Sequence, residues 1–300
     1  MPKFPALSEF KPLIDLALRE DVGAGDVTSE LLIEENAIGV GTLLQKAPGV
    51  ACGLPIVEHV CRVFDERLHV ELIPGFHLEL IEGRFSDQKI TPLLRIRGPM
   101  RALLAAERTV LNFLQHLSGV ATMTHRYVKR IEGTKATICD TRKTLPGFRA
   151  LDKYAVSVGG ATNHRTGLFD MVLVKDNHLA AISGSDWASR LRAKVVESRK
   201  NRPEIPIEVE VANLDQLRHV LLIDGINFIL LDNMDCPTME RAVRLRDEAG
   251  RTNVQLEASG GVTLETVRNI ALTGVERISV GAITHSAPAL DISLEVESAE

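Results

Sequence analysis

Short apolar runs rich in β-branched residues recur through the second half of the chain: ATIC at 136–139, MVLVKD at 171–176, IPIEVEV at 205–211, INFILLDN at 226–233, VQLEASGG at 254–261 and RISVGA at 277–282. Helically spaced segments such as NLDQLRHVLLIDG and CPTMERAVRLRDEAG stand between them. Near-continuous apolar strands that alternate with helices predict a parallel sheet covered on both faces. Six such runs suggest a barrel, whole or partly open.

The first third has a different texture. LSEFKPLIDLALRE at 7–20 has helical spacing, and GDVTSELL follows, where Asp26 or Thr28 is placed to cap a further turn. From 38 to 98 the chain turns to short apolar or alternating runs punctuated by Gly and Pro, which predict strands, with the helical GLPIVEHVCRVFDE among them. A long helix is expected over 101–133, with Ser118-Gly119 marking a break or a close packing point.

Polar residues stand at one end of the second-half strands. Asp140 follows the first, and Lys175 and Asp176 close the second. Glu210 is near the end of the third, and Asp232 ends the fourth. Ser259-Gly260-Gly261 ends the fifth and Gly281 the sixth. In βα barrels the carboxyl ends of the strands carry the active site. The two glycine turns at the final strand ends suit a phosphate group, because they expose backbone N–H groups, and a helix that Thr263 would cap follows the first of them.

Glu210 and Asp232, on neighbouring strands, can hold a divalent cation, bind sugar hydroxyls or stabilise developing positive charge. Glu208 shares the face of Glu210 and competes with it; Glu210 lies nearer the carboxyl end. Arg142, Lys143, His164, Arg165 and Lys175 gather around the first two strands and call for a ligand with several negative charges. Arg149 and Lys153 have a plain reading as solvated charges, and His178 as a packed core histidine.

Composition narrows the classes. The net charge of −5 and pI near 6.0 argue against nucleic-acid binding, and no run is apolar enough to span a bilayer. The first twenty residues lack the pattern of a secretory signal, so the expected location is cytoplasmic. Cys52, Cys61, Cys139 and Cys236 form no CxxC pair and read as small buried residues rather than zinc ligands. These residues alone describe a βα-barrel enzyme for a phosphorylated, strongly anionic substrate pair. They leave open a Schiff-base lyase built on Lys175 and a non-catalytic phosphosugar-binding protein.

The motifs ERTVLNFLQHLSGVAT, DTRKTLPGFRALDKYAV, GGATNHRTGLFD, KDNH, EVEV, LLDN, ASGGV and ISVGAITHSAPALDIS together resemble the quinolinate phosphoribosyltransferase family, over almost the whole chain. The resemblance implies an N-terminal α/β sandwich domain over 1–118, rejoined by 283–300, and an open, incomplete α/β barrel of about six parallel strands over 119–282. It implies transfer of phosphoribosyl from phosphoribosyl pyrophosphate (PRPP) to quinolinate with decarboxylation, with Mg²⁺ accompanying PRPP and no organic cofactor. It also implies a homo-oligomer, a dimer or a hexamer of dimers, in which Arg108 acts across the interface. Carried over by motif, Arg142, His164, Arg165 and Lys175 are the quinolinate-side cations, and Lys143 lies between the two substrates. Glu210 and Asp232 hold the ribose hydroxyls, directly or through Mg²⁺. Ser259, Gly260, Gly261 and Gly281 cradle the 5-phosphate.

Overall fold

The computed structural model describes residues 2–73, 81–182, 184 and 186–299. Contacts divide the chain into two compact units. One joins Met1–His125, Lys143–Gly160 and Ile283–Glu300; the other joins Arg126–Arg142 and Ala161–Ala282. Part of the 38–98 stretch expected to form strands, residues 74–80, lies outside the described residues.

The first unit opens with helices α1 (Leu7–Val22) and α2 (Val27–Leu32). Asp26 caps α2 by accepting the N–H groups of Thr28 and Ser29, so of the two candidate caps the aspartate serves. Strands β1 (Ile38–Gln45) and β2 (Gly49–Val50) follow, then α3 (Leu54–Phe64), β3 (His69–Leu72), β4 (Phe85–Ser86) and β5 (Thr91–Pro99). The C-terminal strand β12 (Ile292–Ser298) returns to this unit and pairs antiparallel with β1. The resulting four-stranded antiparallel sheet has the order β12-β1-β5-β3.

Helix α4 (Met100–Arg130) is continuous through Ser118-Gly119. Gly119 is a close packing point and not a break: a Cβ there would run into the Pro288 carbonyl. Ser118 Oγ instead takes the Cys52 N–H at 3.0 Å. Helix α5 (Arg149–Val158) is tied to the same unit by two buried acids. Asp152 is 2.6 Å from His116 Nε2. Glu82 accepts Tyr154 O–H at 2.8 Å and the first N–H groups of α3, from Gly53 and Leu54. Lys153, expected to be solvated, is buried.

The second unit holds six parallel strands: β6 (Thr137–Cys139), β7 (Val172–Val174), β8 (Ile207–Val211), β9 (Phe228–Asp232), β10 (Gln255–Ser259) and β11 (Arg277–Ser279). Their order is β6-β11-β10-β9-β8-β7, which leaves β6 and β7 as the two edges of an open barrel. Helices α6 (Asp176–Ala181), α7 (Trp187–Asn201), α8 (Leu214–Leu221) and α9 (Cys236–Glu248) connect them, followed by short α10 (Val267–Leu272) after β10 and α11 (Ala282–His285) after β11. Alternation explains the layers. On β8, Ile207, Val209 and Val211 share one face, buried, while Glu208 and Glu210 point to the other. Cys52, Cys61 and Cys139 are buried free thiols, and Cys236 is partly exposed.

Candidate functional site

Parallel pairing brings the carboxyl ends of all six strands to one edge. From β6 to β7 that edge presents, in spatial order, Arg142, Gly281, Ser259-Gly260-Gly261, Asp232, Glu210 and Lys175. Arg142 and Lys175 therefore follow the two edge strands, and the acids and glycines lie between them. The segment carrying His164 and Arg165 runs along the β6 edge, where Thr162 bridges Cys139 in parallel and gives its N–H to Ile138 C=O at 2.9 Å.

Two positive charges face one another at the β6 edge. Burial first, and then the like charge of Arg142, depress the pKa of Arg165. Arg165 Nη1 also donates to Met171 C=O at 3.3 Å. Crowded guanidinium groups of this kind favour a bound anion, which relieves their repulsion.

Carboxylates crowd at the other side. Asp176, Glu210 and Asp232 line a cavity of about 370 Å³ together with Trp187, Ala212 and Gln216. Burial raises the pKa of Glu210, Lys175 opposes the rise, and the charges of Asp232 and Asp176 add to it. Acids spread around a partly open cavity suit the hydroxyls of a sugar, or a divalent cation that arrives bound to a ligand, rather than a preformed three-carboxylate cage.

The turn after β10 differs from the expectation in one respect. Gly260 and Gly261 have φ of +96° and +59°, so both lie in the left-handed region that favours glycine. A Cβ on Gly260 would collide with the Asn233 side chain, while nothing lies within 4 Å of one on Gly261. Thr263, however, closes a turn with Thr266, and the helix begins only at Val267 and runs six residues. The anion-binding case here rests on the glycine turn and not on a helix dipole.

Glu208, the competitor of Glu210, and Glu257, which the sequence reading did not single out, lie below this edge. Glu208 and Glu257 are fully buried, and His164 and Arg277 are nearly so. His164 Nε2 is 3.0 Å from Glu208 Oε2 and 3.3 Å from Glu257 Oε1. Arg277 Nε donates to Glu257 Oε2 at 2.7 Å, its guanidinium lies 4.7 Å from the Phe228 ring centre, and Ser279 Oγ donates to the other Glu257 oxygen. Burial opposes ionisation of Glu257, but hydrogen bonds from His164 and Arg277 outweigh it and hold its pKa low; burial and the Glu257 charge raise that of Glu208.

Burial also works against an imidazolium at His164, yet Glu208 and Glu257 push its pKa up to about 9. A second ring proton competes with Arg165, whose N–H at 2.7 Å uses the Nδ1 lone pair. That backbone contact fixes the ring with its proton on Nε2, toward the acids. The three side chains His164, Glu208 and Glu257 are a donor set that could hold a cation. Arg277 already supplies positive charge there. The sequence signal for this cluster was limited to charged residues standing inside apolar strand runs, Glu208 in β8 and Glu257 in β10.

Of the remaining candidates, Lys143 and Arg108 belong to the first unit. Lys143 is exposed, and its carbonyl accepts Thr284 Oγ1–H at 2.7 Å. Arg108 stands half-exposed on α4, 4.0 Å from Glu107. Arg149 is partly buried and donates to Thr144 Oγ1. His178 is exposed, contrary to a core reading, and its Nδ1 accepts the Lys175 N–H at 2.9 Å.

Comparison with known proteins gives a consistent result. Residues 120–295 match the C-terminal domain of quinolinate phosphoribosyl transferase, and 26–118 match its N-terminal domain. The chain is 44% identical over 282 residues to a nicotinate-nucleotide pyrophosphorylase (carboxylating) of Mycobacterium leprae, covering 93% of this chain and 94% of that one. It is 36% identical over 290 residues to a probable enzyme of the same name from Bacillus subtilis, covering 96% and 93%. Among solved structures, NadC from Streptococcus pyogenes superposes with a TM-score of 0.88 at 31% identity over 100% of both chains. With both family domains matched in order across its length, this chain belongs to the quinolinate phosphoribosyltransferase family.

Proposed function

We propose that the protein transfers phosphoribosyl from PRPP to quinolinate and decarboxylates the product, giving nicotinate mononucleotide, pyrophosphate and CO₂ for NAD synthesis. The observation that carries this reading is the order of groups along one sheet edge: cations at both ends, acids and a glycine turn between. Quinolinate carries two carboxylates and PRPP two phosphorylated ends, so a divided site of this kind matches the pair.

Arg142, Arg165 and Lys175 bind and orient the quinolinate carboxylates, with His164 on the same side and Lys143 between the substrates. Ser259, Gly260, Gly261 and Gly281 receive the 5-phosphate. Glu210 and Asp232 hold the ribose hydroxyls. These acids, with Asp176 beside them, also suit Mg²⁺, which when bound with PRPP offsets charge on the departing pyrophosphate. The quinolinate nitrogen forms the bond to the anomeric carbon as the bond to pyrophosphate oxygen breaks. Glu210 and Asp232 then stand beside an oxocarbenium-like carbon and stabilise its charge. The ribosylated ring nitrogen is cationic. It draws in the electron pair of the adjacent C–C bond as CO₂ leaves, and the ring carbon takes a proton from water.

Holding two polyanions in line accounts for most of the protein's work. No organic cofactor takes part in this scheme. A homo-oligomer, dimeric or built of dimers, with Arg108 reaching a neighbour's site, and a cytoplasmic location belong to the same proposal. A lyase using Lys175 is the competing reading. Borohydride added during turnover separates the two: the transferase leaves Lys175 unmodified, whereas covalent capture of substrate on Lys175 overturns it.

A further inference from the structure

His164 stands beside Arg165 in the cation-rich segment, yet its ring has both nitrogens engaged inside its own unit. Nε2 faces Glu208 and Glu257 at 3.0 and 3.3 Å. Nδ1 takes the Arg165 N–H at 2.7 Å. The backbone at this point is fixed as well: Asp140, fully buried, accepts the His164 N–H at 2.6 Å, and Thr162 is bridged to Cys139. A ring in this setting has no nitrogen left for a ligand.

The charge at Glu257 also has partners on both oxygens. Glu257 is shared by Arg277, Ser279 and His164, and the Arg277 guanidinium is further stacked near Phe228. Glu208 and Glu257 are fully buried, and His164 and Arg277 are nearly so. A buried charge holds one geometry where partners satisfy it from several sides, as His164, Arg277 and Ser279 do for Glu257, and that makes Glu257 a rigid support for the His164 ring. It reaches Arg165 through the backbone N–H that His164 Nδ1 accepts.

We propose that His164 is a positioning residue, clamped by Glu208, Glu257 and Arg277, which serves quinolinate by fixing Arg165 rather than by a ring contact of its own. This rests on the quinolinate reading above. Glu257 is fully buried, so it acts on quinolinate only through its partners, and of these His164 lies next to Arg165. The same geometry makes Arg277, on the last barrel strand β11 and far from His164 in sequence but bound to the same Glu257 carboxylate, part of the support for substrate binding.

Three measurements on the full-length protein test this. In a crystal of the wild-type enzyme with quinolinate, both His164 nitrogens are expected to keep their present partners. A ring nitrogen within hydrogen-bond distance of a quinolinate carboxylate overturns the proposal. In steady-state kinetics, Glu257→Gln is expected to raise the quinolinate KM about tenfold while the PRPP KM stays within about twofold. An unchanged quinolinate KM, or an equal rise in both, overturns it. His164→Asn retains an oxygen able to accept the Arg165 N–H, so it is expected to bind quinolinate several-fold more tightly than His164→Ala in calorimetry. Equal losses contradict the proposal. Wild-type enzyme that binds PRPP but no quinolinate would instead bring down the functional reading, and this inference with it; wild-type activity with unaffected variants brings down the inference alone.

Discussion

Ser259 and Asp232 are register partners at the ends of adjacent parallel strands, and the Asn233 N–H just beyond donates to the Ser259 carbonyl at 2.9 Å. The glycine turn and the acid therefore open on the same edge with a spacing set by the sheet. That spacing is the physical basis for assigning one end of a phosphosugar to the turn and its ribose to the acids.

Removing the acid charge without changing shape tests the ribose side. Glu210→Gln and Asp232→Asn are each expected to lower kcat about 100-fold, on the order of 3 kcal/mol of transition-state stabilisation. Thermal unfolding should move by only a few degrees, since both residues sit at partly exposed strand ends. The check is kcat beside a melting curve for each variant.

Gly260→Ala probes the turn. The new methyl would meet Asn233, at a backbone φ of +96° that suits glycine. The expected result is a rise of at least about tenfold in the PRPP KM, with roughly 1–2 kcal/mol lost in stability. Gly261→Ala shares the strained φ but not the collision, so its effect on PRPP should be smaller.

Arg108 and Lys175 test the assembly. Each Ala variant should be nearly inactive alone. Mixed and allowed to exchange subunits, the two should recover a measurable part of wild-type activity, because one site in a mixed dimer then carries both intact side chains. An unchanging zero after verified exchange would place Arg108 in its own subunit's site.

Glu276 provides a pH test away from the site. Its carboxylate accepts Lys135 Nζ at 2.6 Å, the Leu256 N–H at 2.9 Å and Arg246 Nη1 at 3.0 Å. Burial opposes its charge, but these partners outweigh that and hold its pKa below the ordinary 4.5. A lowered folded-state value means stabilisation present above pH of about 4.5 and lost as pH falls through the folded pKa. Glu276→Gln should therefore cost roughly 1–2 kcal/mol at pH 7. The gap to wild type should narrow in denaturant titrations as pH is lowered from about 5 toward 3.

Much of the barrel was legible in the sequence because buried parallel strands leave near-continuous apolar runs, and each of the six runs became a strand. The row of polar residues at the carboxyl ends of those runs was legible too, and parallel pairing brings it to one edge. Other features were not. Ser118-Gly119 reads as either a break or a close packing point, and only the tertiary contact with Pro288 decides for the second. Lys153 looks solvated by type, but helix α5 turns it inward. Thr263 looks like a helix cap, but it closes a separate turn first. The buried cluster required pairing information: Glu257 and Arg277 are register partners across β10 and β11, which no local pattern reveals.

The most direct measurement follows label from the leaving carboxylate. Quinolinate carrying ¹³C in the carboxylate adjacent to the ring nitrogen is incubated with enzyme, PRPP and Mg²⁺, and gas and nucleotide are measured together. The account predicts ¹³CO₂ and nicotinate mononucleotide in equal amounts, both dependent on PRPP, with nicotinate a poor replacement for quinolinate. Release of CO₂ without PRPP, or no nucleotide formed when both substrates are bound, would contradict it.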